Sequence, residues 1–262
     1  MNAIDERLEK INKEKRMGYM THVIVGYPSL GDTVSLVEVM DQAGVDFVEL
    51  QIPFSDPLAD GPIIMKACEQ SLENGTKVSD AFVVARKLSE KVSVPLLFMA
   101  YYNTVFKYGV EKFCYDAQKA GISGLIVPDM SIEEEENEGF SNAAKKYNLH
   151  VIRVVSPAST DERLQKNSDS ASGFIYCTAR QGTTGNQKKL DPKVISYLKK
   201  VKAVSKIPLA VGFGIKSRED VMLIQKYANI AVIGSAIVTL AGQYKEKKLA
   251  SEVKQFLSSI RV

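Results

Sequence analysis

Two acidic residues stand where a carboxylate is either costly or constrained. Glu49 lies inside the apolar run Phe47-Val48-Glu49-Leu50-Gln51-Ile52. A carboxylate there must be paired, hydrated in a cavity, or pushed toward its neutral form by desolvation. Those conditions suit a general acid/base. A core ion pair with a Lys or Arg meets them equally well. The next segment, Pro53-Phe54-Ser55-Asp56-Pro57-Leu58-Ala59-Asp60-Gly61-Pro62, sets two aspartates among prolines. Proline fixes φ and stiffens the loop, so Asp60 can be held in one position. Asp56, beside Pro57, reads first as a turn former.

Two glycine-bearing segments suggest an anion site. Val211-Gly212-Phe213-Gly214-Ile215 and Ile233-Gly234-Ser235-Ala236-Ile237 each end an apolar run, and the second leads into a helix. Glycine lets backbone N–H groups approach an anion, and a helix N-terminus adds free donors and a favourable dipole. Together they point to a phosphorylated small substrate. The polar stretch 179–190 is either a lid over a site or an ordinary surface loop. Tyr176 sits mid-run and either faces a pocket or packs. His22, a lone histidine in an apolar run, reads first as structural, though its run could end at a pocket. No metal-ligand spacing and no Ser/His/Asp or Cys/His arrangement emerges.

These residues need elements to hold them. Eight short apolar runs recur, at 19–25, 47–52, 95–100, 124–127, 150–155, 174–177, 208–211 and 230–233. Several are apolar throughout, as strands covered on both faces should be; Leu125-Ile126-Val127 is the clearest. Helical spacing fills 33–43, 78–91, 109–120, 132–147, 191–201 and 217–227. Asp191-Pro192 reads as an N-cap with a first-turn proline, and Ser217 with Asp220 as a relative of the capping box. Residues 1–16, with Ile4, Leu8 and Ile11, form a further amphipathic helix rather than a signal peptide. Alternating strand and helix implies parallel strands, and eight units point to a closed barrel. No GxGxxG follows the first run, which argues against a doubly wound dinucleotide fold. The expected fold class is therefore α/β, a single (β/α)8 TIM barrel over 1–262 with an extra N-terminal helix. In such a barrel the site lies at the strand C-terminal ends, and the loops after strands seven and eight hold phosphate.

Composition bounds the rest. With 262 residues, 45% of them hydrophobic, and a net charge of +3, the chain is ordinary globular material. The charge is too small for a nucleic-acid binder, and no apolar run nears the roughly 18 residues of a membrane span. Three widely spaced cysteines, Cys68, Cys114 and Cys177, cannot form a full disulfide framework. A reducing cytoplasm is the expected location.

Taken together, the residues resemble the tryptophan synthase alpha subunit family over nearly the whole chain. The most specific match is the proline-rich run from Pro53 to Pro62. Supporting matches are Gly26-Tyr27-Pro28, Tyr101-Tyr102-Asn103, Gly124-Leu125-Ile126-Val127-Pro128-Asp129, Ser172-Gly173-Phe174-Ile175-Tyr176, Gly212-Phe213-Gly214-Ile215 and Gly234-Ser235-Ala236-Ile237-Val238. The resemblance implies retro-aldol cleavage of indole-3-glycerol phosphate to indole and glyceraldehyde 3-phosphate. It implies no cofactor in this chain, and a PLP-dependent beta subunit as partner in an αββα complex. Glu49 matches the catalytic carboxylate and Asp60 the acid that receives the indole N–H. Tyr176, Tyr102, Phe213 and His22 fall among the substrate-facing positions, and Thr184 matches a lid threonine. Gly185, Gly214, Gly234 and Ser235 match phosphate contacts. The loop at Asp56-Pro57 and the Asn103 region resemble contacts with the partner. The pattern is broken at several places. Gln51 replaces a usual Gly, Met65 a usual Gln, Thr104 a usual Pro, and Thr183 a usual Val. Lys216 stands for a usual Ser, His22 for a usual aromatic, and Arg153 for an apolar strand residue that then needs a buried acid. These departures keep two alternatives in view: a stand-alone lyase, and a weak alpha-like protein that mainly activates a beta subunit.

Overall fold

The computed structural model describes residues 1–179 and 191–262. Eight parallel strands close into a barrel in sequence order. They are β1 (Gly18–Ile24), β2 (Phe47–Gln51), β3 (Leu96–Met99), β4 (Ile122–Ile126), β5 (His150–Val155), β6 (Ile175–Thr178), β7 (Leu209–Gly212) and β8 (Ile230–Ile233). The helices are α1 (Ala3–Glu14), α2 (Leu30–Gln42), α3 (Pro62–Glu73), α4 (Val78–Ser89), α5 (Tyr102–Tyr108), α6 (Val110–Lys119) and α7 (Ile132–Glu138). They continue as α8 (Phe140–Lys146), α9 (Asp161–Ser170), α10 (Pro192–Val204), α11 (Arg218–Ile224), α12 (Ser235–Gln243) and α13 (Glu246–Ser259). The expected (β/α)8 barrel with an extra N-terminal helix is the fold observed.

Local chemistry sets the boundaries. Asp191 caps α10 by accepting from the Lys193 N–H, and Pro192 takes the first turn. Ser217 and Asp220 form a reciprocal capping box on α11. The single helix expected over 132–147 is two, α7 and α8, because Gly139 adopts φ 67 and turns the chain left-handed. Helices α3, α5 and α9 lie outside the segments of expected helical spacing. In α9 only Leu164 is buried, and in α3 the inward face includes the small residues Ala67, Cys68 and Ser71. Such faces carry little periodic signal.

Alternation along the strands divides the core in two. Outward residues such as Val48, Leu50, Leu125 and Val211 pack under the helices. Inward residues fill the barrel: Met20, Phe47, Leu97, Ile126, Ile152, Phe174 and Val232. Phe47 and Phe174 meet across it with ring centroids 5.4 Å apart. Helix α1 closes the bottom, its Ile4 and Ile11 buried in that interior cluster. Two glycines permit the approach: a Cβ on Gly18 would lie 2.8 Å from the Ile11 Cδ1, and one on Gly124 equally close to that of Ile4.

Arg153 points outward from β5 and pairs with the buried Glu135 of α7. The Ser141 hydroxyl donates to the other Glu135 oxygen, Oε2. The acid that Arg153 requires is thus supplied by the helix layer. The three cysteines are buried and free. No described helix is long and apolar enough to cross a membrane.

Candidate active site

The strand C-terminal ends surround a cavity of about 490 Å³, a size suited to a small organic ligand. Glu49, on β2, faces into it and is only 2% exposed. Asp60 reaches the same cavity from the loop between β2 and α3. The parallel register sets His22 of β1 level with Glu49. Its Nδ1 lies 3.1 Å from Glu49 Oε2, close enough for an ion pair although off line as a hydrogen bond. Burial disfavours the charged imidazole, but the Glu49 carboxylate, with Asp60 and the Gln51 amide, outweighs it, so the His22 pKa is raised.

Asp60 is held by two polar partners. Gln51 Nε2 donates to its Oδ2 at 2.7 Å, and the Tyr101 hydroxyl donates to the same oxygen at 3.0 Å. That hydroxyl also accepts the Ala59 N–H at 2.9 Å, so one phenol fixes the loop backbone and its acid together. Burial pushes the Asp60 carboxyl up and Glu49 adds to this; His22, Gln51 and Tyr101 pull it down, and the net shift is upward. Tyr176 lies over Gly212, where a Cβ would sit 3.0 Å from its ring. Burial, reinforced by the charges of Glu49 and Asp60, raises its phenol and keeps it neutral.

The same cavity holds a cradle. Phe213, Gly214, Gly234 and Ser235 line it. Gly214 adopts φ +74, a conformation costly to other residues. Gly234 and Ser235 open α12, whose first turn has no side-chain cap, leaving N–H donors for an anion. Lys216 also lines the cavity and supplies a flexible positive charge. Apolar walls come from Met99, Ile126, Val154 and Val232.

The cavity therefore brings together Glu49, Asp60, Tyr176, Phe213, His22, Gly214, Gly234 and Ser235. Thr184 and Gly185 lie outside the described residues, as does the possible lid around them. Tyr102 does not line the cavity. Its N–H donates to Asp129 at 2.9 Å, and burial, reinforced by Glu138 and its charge, raises its phenol pKa to about 12. The neighbouring Tyr101 serves the site instead. Helix α5 begins at Tyr102, so Tyr101 is the last extended residue and keeps the inward direction of β3. Asp56 is exposed and accepts from the Ser55 hydroxyl at 2.5 Å, consistent with a turn role. Among the described residues no cluster of His, Cys, Asp or Glu is placed to hold a metal ion. A second cavity of about 370 Å³ lies by Asn2, Lys145 and His150, at the strand N-terminal ends, where barrel residues serve stability.

Tyr101→Phe should free the Ala59 N–H and loosen Asp60. Losing these bonds costs about 1–3 kcal/mol. The expected outcome is a rise in substrate KM and a fall in kcat, with the midpoint of urea unfolding lowered only slightly. Unchanged steady-state kinetics would show that the phenol does not position the loop.

A buried Glu49, a partly buried Asp60 and a glycine-lined cradle in one cavity fit a (β/α)8-barrel enzyme acting on a phosphorylated small molecule. A family model described as the tryptophan synthase alpha chain matches residues 8–261. The chain belongs to the tryptophan synthase alpha chain family. The tryptophan synthase alpha chain of Desulfotalea psychrophila is 46% identical over 258 residues, 97% of this chain and 99% of that one. That of Caldanaerobacter subterraneus is 36% identical over 262 residues, covering 100% and 99%. Among solved structures, tryptophan synthase subunit alpha from Legionella pneumophila superposes with a TM-score of 0.89 at 31% identity, over 100% and 97% of the two chains. Mycobacterium tuberculosis tryptophan synthase gives 0.89 at 30% identity, over 99% and 98%.

Proposed function

We propose that this barrel is a carbon–carbon lyase that cleaves indole-3-glycerol phosphate to indole and glyceraldehyde 3-phosphate, the alpha-chain step of tryptophan biosynthesis. The observation that carries the reading is the convergence of Glu49 and Asp60 on a cavity that also holds the Gly214, Gly234 and Ser235 cradle.

The reaction moves two protons and breaks one carbon–carbon bond. Glu49 in its acid form gives a proton to indole C3, making the ring an electron sink. As carboxylate it then takes the proton of the side-chain hydroxyl. The hydroxyl carbon becomes the aldehyde, the bond to C3 breaks, and its electron pair returns to the ring. Proton uptake and release cancel, and no redox partner is needed. Asp60 as carboxylate accepts the indole N–H and stabilises the cationic ring. Tyr101 and Gln51 aim it. Tyr176, Phe213 and the apolar walls flank the ring, while the cradle and Lys216 hold the phosphate.

The chemistry uses only side chains and backbone donors of this chain. In the proposed assembly a PLP-bearing beta subunit docks at the barrel mouth, giving an αββα complex in the cytoplasm. The exposed apolar side chains of Leu58 (89%) and Phe106 (57%) support a docking surface near the Asp56-Pro57 loop and Asn103. The test gives purified protein indole-3-glycerol phosphate, with and without a beta subunit, and follows indole. Release that rises with the partner is expected. No indole under either condition overturns the lyase reading, and equal fast release in both removes the need for a partner.

A further inference from the structure

Among the described residues, three buried polar atoms of the site have no hydrogen-bond partner: His22 Nε2, Glu49 Oε2 and Gln51 Oε1. They are chemically complementary. Asp60 as carboxylate only accepts, so the Gln51 amide must turn its NH2 toward it, as the 2.7 Å contact requires. The Gln51 carbonyl is then left facing away and needs a donor. Glu49 Oε2 also needs a donor, and His22 Nδ1 is 3.1 Å from it. One imidazole can satisfy both oxygens only if both ring nitrogens carry hydrogen, that is, as imidazolium.

The charge balance argues the same way. Glu49 is buried and Asp60 partly buried in the shared cavity, and a buried carboxylate persists only if paired or hydrogen-bonded. Among the described residues no Lys or Arg forms an ion pair with either; the ion pair of Glu49 is with His22. Among the described residues, the groups facing the imidazole are Glu49 across the β1–β2 register, Asp60 and Gln51 from the β2 side, the neutral Tyr176 from β6, and Gly234 from the start of α12. Of these, the charged ones are both acidic.

We propose that His22 is a positioning residue, the imidazolium counter-ion of Glu49, and that through the Gln51 amide it ties Glu49 and Asp60 into one network ending at the Tyr101 hydroxyl. Fixing Glu49 by a donor on one oxygen leaves the other oxygen to trade protons with substrate. The role in catalysis rests on the lyase reading above; the network itself does not.

The chain has two histidines, so ¹⁵N-histidine labelling gives two titration curves, assigned with His22→Gln. In the ligand-free protein His22 should remain protonated on both nitrogens to a higher pH than a free imidazole. Glu49→Gln should lower its midpoint by at least about one unit, a tenfold loss of proton affinity. Gln51→Gly should lower it by less, and His150 should not move. A His22 midpoint indifferent to Glu49→Gln overturns the proposal, as does a singly protonated ring at pH 6. The second arm is the pH profile of kcat for indole release. Loss of the imidazolium should give the wild type a basic limb that His22→Phe abolishes and Gln51→Gly moves to lower pH. A limb that His22→Phe leaves in place overturns the positioning role. If the wild type releases no indole at any pH, the lyase reading falls, and the titration still decides the ion pair.

Discussion

Glu49→Gln removes indole release while the cavity stays formed. The amide is close in shape to the carboxyl but can neither give a proton to C3 nor take one from the hydroxyl. General acid/base groups contribute typically 10²–10⁴-fold, and here one group serves both proton transfers. A fall in kcat of about 10³-fold or more is therefore expected. Binding should survive, because the phosphate cradle of Gly214, Gly234 and Ser235 holds its anion with backbone donors and not with the Glu49 side chain. Calorimetry with a glycerol phosphate analogue, beside steady-state indole release, separates the two effects. Near-wild-type turnover would take the acid/base role away from Glu49. Loss of analogue binding together with turnover would mean that the substitution had disturbed the whole mouth.

Arg153→Leu should produce the largest loss of stability. The guanidinium is buried behind β5, and its partner Glu135 is almost equally enclosed. Removing one member leaves a carboxylate in an apolar setting with only the Ser141 hydroxyl beside it. Breaking a buried pair in this way costs about 3–5 kcal/mol. The double change Arg153→Leu with Glu135→Leu should recover much of that loss, since both charges are then gone. Urea unfolding of the two single variants and the double variant measures the coupling. If Arg153→Leu unfolds at the wild-type midpoint, the pair contributes nothing to the fold. Cleavage rates at temperatures where each variant is folded should change little, because the pair lies outside the barrel wall.

Much of the fold was legible because its signal is local. The strands read clearly where both faces are buried, as at Leu125-Ile126, and their ends moved by only a residue or two. The helices α7 and α8 read as one segment because the linear order alone does not show that Gly139 turns left-handed and ends α7. At the site, Glu49, Asp60, Gly214, Gly234 and Ser235 could be found because strand ends in a closed barrel converge. What could not be read was anything set by register or by the residue at which a helix begins. Tyr101 and Tyr102 are identical in type and adjacent, and the start of α5 alone sends one to Asp60 and the other to Glu138. The meeting of His22 with Glu49 depends on the alignment of β1 and β2. Arg153 announced a need for an acid, but nothing in the linear order picked Glu135 from its acidic neighbours in α7.

The floor of the barrel has a consequence for traffic. With Ile4 and Ile11 wedged beneath Phe47 and Phe174, the chamber is a blind alley. A phosphate ester that enters must have both fragments leave through the rim by which it came. Whatever covers that rim governs admission and discharge at once, so a single docking or closing event can decide whether a freed aromatic fragment escapes to water or is handed on.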